Sequence, residues 1–321
     1  MNGNLAATTA TASDRSARLR RAEAAVWGEY GLDPAERFVQ IARPELRLRL
    51  LEVGAGRPIL LVHGTVGPAA WAPLVAAIGG GFRFLVLDRP GWGGSDALDF
   101  RRGPDYHALT ADILAAVLDG LGIDTSAVIG GSIGDVWALS LAERHPSRVE
   151  KVALLGGGPL LADLRPPGFI RLLASPLGAL IVRLPDNVAR ARSILADSGH
   201  AGSVADGRIP DAFIDYRVSV SNETPAMRNE RAMVAHLVRG NGWRPDLVFD
   251  ESSLRAITAR TLMVVGSQDN IGDPSTWQRF TETLPRGRFE LIEGAGHMPW
   301  FDAPDQVANH VRRFLAAGEP V

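Results

Sequence analysis

Ala127-Val128-Ile129-Gly130-Gly131-Ser132-Ile133-Gly134 is a short apolar run that closes on Gly-x-Ser-x-Gly. Placed between a strand and a helix, that pattern makes a sharp turn and lifts the serine hydroxyl clear of the backbone. The flanking glycines are needed because a side chain there would collide with the neighbouring strand and helix. Serine is a weak nucleophile at neutral pH, so the motif carries chemistry only if a base and an acid stand elsewhere in the chain.

Around this turn the sequence alternates between short apolar runs and helical segments. Residues 37–42, 46–53, 58–62, 82–87, 127–129, 149–155, 261–265 and 289–292 read as strands. Residues 17–30, 106–121, 133–144, 275–284 and 304–315 read as helices. This order predicts an α/β fold, a mostly parallel central sheet flanked by helices. The alternation breaks at residues 159–252, which hold helical patches at 169–182, 187–197, 211–220 and 225–239 and no convincing strand. Thr224 caps the last patch, Pro225 sits in its first turn and Gly240 stops it. The interval reads as an inserted helical lid over the carboxyl edge of the sheet, where open α/β sheets bind ligands. Residues 15–158 and 253–321 then form the two parts of the core, and residues 1–14 a disordered N-terminus.

The chain has 321 residues and a formal net charge of −2, which gives no electrostatic reason to expect nucleic acid or an anionic membrane as partner. It contains no cysteine, which excludes disulfides, thiolate metal sites and a cysteine nucleophile. His107, His200, His236 and His310 have no carboxylate or histidine at metal-ligand spacing, so neither a metal nor another cofactor is expected. The N-terminus lacks an apolar signal core, and the longest strongly apolar stretch, 172–182, is too short to span a bilayer. The expectation is a cytoplasmic protein acting on a hydrophobic small molecule, with a homodimer left open.

An acid and then a histidine should follow the serine, each just past a later strand. Asp269 follows residues 261–265, and His297 follows 289–292 in Gly294-Ala295-Gly296-His297. Asp273, Asp250 and Asp302 compete for the acidic role, but only Asp269 directly succeeds its strand. His297 would take the proton of Ser132 and return it to the leaving group, while Asp269 orients the imidazole. The oxyanion would be held by the backbone amides of Ile133 and of Thr65, the latter in the loop His63-Gly64-Thr65-Val66-Gly67. His63 would orient that loop, Asp88 and Asp96 would stabilise the turn after their strand, and His145 would sit at a helix end. Val66 and Met298 are candidates for the pocket wall.

These marks, together with Asp88-Arg89-Pro90-Gly91 and Gly94-Ser95-Asp96, resemble the α/β-hydrolase fold family. The subgroup it is most similar to is that of capped esterases, lactonases and C–C bond hydrolases. The resemblance covers about residues 47–315 outside the lid. It implies hydrolysis of an ester or lactone with a bulky apolar part through an acyl-enzyme on Ser132. C–C hydrolysis of a vinylogous diketone by the same triad is the alternative, although Gly131 stands where those enzymes often carry Asn. Perhydrolases, lyases and receptor-like binders share the scaffold and stay open. Serine rather than aspartate at the turn disfavours dehalogenation and epoxide opening. Asp135 replaces the small residue often found after the last glycine, and it should point away from the oxyanion.

Overall fold

The computed structural model describes residues 12–100 and 105–317. The chain passes through β1 (Ala35–Ala42), β2 (Glu45–Gly54), β3 (Gly56–Val62), β4 (Gly81–Leu87), β5 (Ser126–Gly131) and β6 (Val149–Leu155), then enters the helical insertion. A short hairpin, β7 (Val238–Arg239) with β8 (Gly242–Trp243), lies within the insertion. β9 (Arg260–Gly266) and β10 (Gly287–Ile292) complete the sheet. The spatial order is β1-β2-β4-β3-β5-β6-β9-β10. From β4 to β10 all neighbours are parallel, whereas β2 is antiparallel to both β1 and β4.

The parallel strands are apolar on both faces because helices cover both. Along β3, Leu60 and Val62 join one core while Ile59 and Leu61 join the other. The first core packs against helices Tyr106–Gly120, Ile133–Arg144 and Pro274–Thr283, through Leu114, Trp137 and Trp277 among others. The second packs against helices Ala12–Glu29, Ala72–Ile78 and Pro304–Ala316, through Trp27, Leu74 and Val311. No described helix is long and apolar enough to cross a membrane.

Several local readings need correction. Of the expected disordered N-terminus, residues 1–11 lie outside the described residues, and the chain is helical from Ala12. The patch 169–182 is two helices, Gly168–Ala174 and Pro176–Ile181. Pro176 has no amide hydrogen to continue the first helix, and the Ser175 hydroxyl caps the second by accepting from Gly178 N. The last patch ends at Leu237 rather than at residue 239, because Val238 and Arg239 pair with Trp243 and Gly242. Gly240, at φ +61°, therefore serves a hairpin turn and not a helix stop. Helix Ala72–Ile78, only seven residues long, is too short to show a period in the sequence.

A buried cluster of charges ties the N-terminal helix to the sheet. The Arg49 guanidinium on β2 meets Glu23 at 2.6 Å, Glu36 at 2.8 Å and Asp88 at 2.9 Å. Asp88 also accepts from Gly94 N at 2.9 Å, and Asp96 from Arg47 N at 2.8 Å, so both carboxylates hold the turn after β4. Removing the shared cation strands Glu23 and Asp88 in the interior. Arg49→Met should lower unfolding free energy by about 3–5 kcal/mol in urea denaturation. A loss below about 1 kcal/mol would show that the cluster contributes little.

Candidate active site

Ser132 sits between β5 and helix Ile133–Arg144, with φ 55° and ψ −127°. It is the one non-glycine with positive φ among the described residues. Such backbone costs on the order of 1–3 kcal/mol and persists only where the surroundings enforce it. Here Ser132 N donates to Leu155 O at 3.2 Å, and Ser132 O accepts from Asp135 N at 2.8 Å. The helix then runs hard against β3. A Cβ on Gly134 would stand 2.0 Å from Val62 O, the collision anticipated for the flanking glycines.

Asp269 and His297 follow β9 and β10 and meet. His297 Nδ1 lies 3.0 Å from both carboxylate oxygens of Asp269. Those oxygens also accept from Gly157 N at 2.8 Å and Ile271 N at 2.9 Å. Burial would raise the Asp269 carboxyl, but the facing His297 and the two amides outweigh it and hold the group below its ordinary value. With Nδ1 engaged by the carboxylate, Nε2 is the nitrogen left for proton transfer. Ser132 and His297 line the same cavity, although no hydrogen bond joins them among the described residues. The competing acids are used elsewhere: Asp250 and Asp273 begin helices, and Asp302 pairs with His200.

Thr65, Val66, Ile133 and Met298 line this cavity with Ser132 and His297, so all seven residues predicted from sequence converge when Asp269 is counted behind the base. The loop carrying Thr65 is locked from below. His63 Nδ1 donates to Gly64 O at 2.7 Å and Nε2 accepts from Arg89 N at 3.2 Å, which fits a neutral ring. Burial, reinforced by the Arg89 charge, drives that ring well below the ordinary histidine value. Arg89 also donates to Gly64 O and to Glu230, both at 2.9 Å, and Trp92 Nε1 reaches the same Glu230 oxygen at 3.0 Å. Glu230 belongs to helix Ala226–Leu237 of the insertion. The sequence reading found His63 but not the Arg89–Glu230 pair.

The cavity at Ser132 measures about 100 Å³ and adjoins a larger one of about 340 Å³ among the insertion helices. The two share Thr65, Phe169, Ile170, Ile194, Ser198 and Arg217. Of the apolar side chains in the stretch 172–182, Leu172, Leu173, Ile181 and Val182 line the larger cavity, whereas Leu177 and Leu180 face outward. Arg217, which the sequence reading also missed, is the distinctive group. Its guanidinium makes no hydrogen bond or ion pair among the described residues, and its Nε is buried without a partner. Burial lowers its affinity for the proton, with Asp186 opposing.

Asp135 does point away from the cavity, into the fold behind Gly130. It is fully buried, and neither carboxyl oxygen has a partner. Burial pushes this carboxyl well above its ordinary value of 3.8, a Leu155 backbone contact opposing and Asp269 adding to the rise. A pKa raised by folding stabilises the fold fully below that ordinary value, and the contribution is lost as pH rises through the folded-state value. Wild type should therefore lose ground to Asp135→Ala as pH increases from about 5 to 9, read from paired thermal melts. Parallel curves would mean that the carboxyl ionises as an ordinary one.

Comparison with known proteins agrees with this fold. The model of the Alpha/beta hydrolase family matches residues 59–310. A 2-hydroxy-6-oxononadienedioate/2-hydroxy-6-oxononatrienedioate hydrolase of Cupriavidus pinatubonensis is 29% identical over 279 residues, covering 81% of this chain and 88% of the relative. A 2-hydroxymuconate semialdehyde hydrolase of Pseudomonas putida is 28% identical over 284 residues, covering 85% and 92%. Among solved structures, a carboxylesterase of Bacillus subtilis superposes with TM-score 0.71 at 18% identity, covering 95% of this chain and 99% of that one. A 2-hydroxy-6-oxo-6-phenylhexa-2,4-dienoate hydrolase of a Rhodococcus species does so with TM-score 0.71 at 20% identity, covering 89% and 100%. With the family match spanning most of the sheet, the strained serine turn and the Asp269–His297 pair, the chain belongs to the Alpha/beta hydrolase family.

Proposed function

We propose that the protein hydrolyses a C–C bond in a vinylogous diketone that bears a carboxylate, with the insertion acting as the lid. Ser132 is the nucleophile, His297 the general base and acid, and Asp269 its orienting partner. Attack of the Ser132 hydroxyl on the carbonyl forms a tetrahedral oxyanion, held by the amides of Ile133 and Thr65. Expelling carbon is hard because the leaving group departs with the bonding electron pair. Conjugation to a second carbonyl supplies the sink, and His297 returns the proton to the departing carbon framework. Water then releases the acyl group from Ser132 with His297 again as base.

The observation that carries this reading over ester hydrolysis is Arg217. A guanidinium with no hydrogen-bonded partner among the described residues, lining a largely apolar cavity beside the serine, is matched by a carboxylate through paired charge-assisted hydrogen bonds. A neutral ester would bring it no charge, leaving only the more distant Asp186 to offset its burial. The relatives named above act on substrates whose printed names are those of acids, or of the semialdehyde of one.

Gly131 favours the second reading, ester or lactone hydrolysis. The Trp71 and Trp300 rings stack at 4.7 Å against this position, and a Cβ there would lie 2.8 Å from Trp71. The site therefore has no room for the Asn that C–C hydrolases often carry before the serine.

Two substrates separate the readings, a 2-hydroxy-6-oxo-dienoic acid and an aryl ester of similar size. Ser132→Ala should abolish turnover of both. Arg217→Met should raise KM for the acid by about 10- to 100-fold, the worth of a hydrogen bond to a charged group, and leave the ester within about twofold. Faster turnover of the ester than of the acid, with Arg217→Met harmless to both, would give the site to ester hydrolysis.

A further inference from the structure

A second buried histidine–aspartate pair stands next to the first. His200 has no exposed surface, and its Nδ1 lies 2.8 Å from Asp302 Oδ2. It belongs to the insertion, at the end of the tight turn Ala196–His200, whereas Asp302 lies just beyond the loop that carries His297. Neither residue lines the cavity, so neither is placed to touch a substrate.

The pair's connections run to the base. Three consecutive backbone amides are held here: Gly296 N by Asp302 Oδ2 at 2.8 Å, His297 N by Ser198 O at 2.9 Å, and Met298 N by His200 Nε2 at 3.0 Å. Two of the acceptors belong to the insertion. The third, Asp302, is itself bonded by His200 and by the Ser203 hydroxyl, also from the insertion. The acid's loop is tied to the same turn, since Asn270 Nδ2 donates to Asp197 O at 2.8 Å. The insertion thus grips the loops of both Asp269 and His297 from one short segment.

We infer that the His200–Asp302 pair is a positioning device, through which docking of the insertion sets the backbone of the base His297. The inference rests on the reading of Ser132 and His297 as nucleophile and base. The chemistry is one of tautomers. Met298 N is a donor, so His200 Nε2 must accept, and the ring proton must lie on Nδ1 facing the carboxylate. Asp302 enforces that choice. With no acceptor at 302 the ring is free to carry its proton on Nε2, which sets it against the Met298 amide.

The test uses the full-length protein and four measurements: the rate at which a fluorophosphonate labels Ser132, kcat, KM and the thermal midpoint. His200→Phe keeps the ring volume and removes both hydrogen bonds. Asp302→Ala removes the oxygen that His200 Nδ1 and Gly296 N share. Both should slow labelling and lower kcat at least tenfold, with KM within twofold of wild type. His200→Gln, whose amide oxygen can accept from Met298 N, should recover most of the labelling rate. Should His200→Phe fail to fold, Asp302→Ala carries the test with His200→Gln as its control. Folded variants that label at the wild-type rate overturn the inference alone. So does a loss that follows the unfolded fraction in every variant without rescue by Gln. A wild type that fails to label at Ser132 overturns the triad, and this inference with it.

Discussion

The positive φ of Ser132 is the constraint around which the site is arranged. A residue with a side chain does not hold that conformation by its own preference, so the neighbours must impose it. β6 supplies the acceptor for its amide, and β3 and the first turn of the following helix close against each other through a glycine. The strain has a geometric product. It projects the hydroxyl beyond the carboxyl edge of the sheet, to where loops after β3, β9 and β10 can meet it. Each of those loops then faces its own difficulty, which is to stay fixed while lying outside regular structure.

Buried polar pairs meet that difficulty. The turn after β4 is held by Arg49 with Asp88, the loop after β3 by Arg89 with Glu230, and the loop after β10 by His200 with Asp302. Apolar packing is tolerant of small shifts, whereas a desolvated hydrogen-bonded pair has one good geometry and a steep cost away from it. The sheet can therefore rest on leucine and valine, while the loops above it depend on charge. Two of the three pairs join the core to the insertion, which makes the insertion part of the support of the site.

The core of the fold and the meeting of Asp269 with His297 beside Ser132 were legible in the sequence for one reason: each signal is local. Ser132, Asp269 and His297 each follow an apolar run directly, and the glycines mark the turn within a few residues. The insertion was legible for the same reason, as a gap in an alternating pattern, although the expected boundary at 252 falls inside the helix Glu251–Ala256. What escaped reading is non-local. Arg89 and Glu230 are 141 positions apart, and His200 and Asp302 are 102 apart. In sequence His200 has no visible partner, and Asp302 reads as one more aspartate after a strand. Arg217 escaped because its distinguishing property is a buried Nε with no hydrogen-bond partner among the described residues, which only a packed structure reveals. The division of segment 169–182 was in principle readable at Pro176, and the hairpin was hidden because Val238 and Arg239 continue a helical period until Gly240 turns the chain.

The stacked indoles at Gly131 also bear on how such a site can change over generations. The space beside the serine is filled by Trp71, which itself rests on Trp300, whose Nε1 is bonded to Ala70 O at 2.7 Å. Any larger residue at 131 must wait until the ring at 71 has shrunk, and a smaller ring at 71 by itself opens an apolar void beneath the site. The two positions are thus epistatic, with one order of replacement costly and the other blocked. By this geometry the residue beside Ser132 is hard to change, whereas Arg217 and its apolar neighbours in the insertion can vary one at a time.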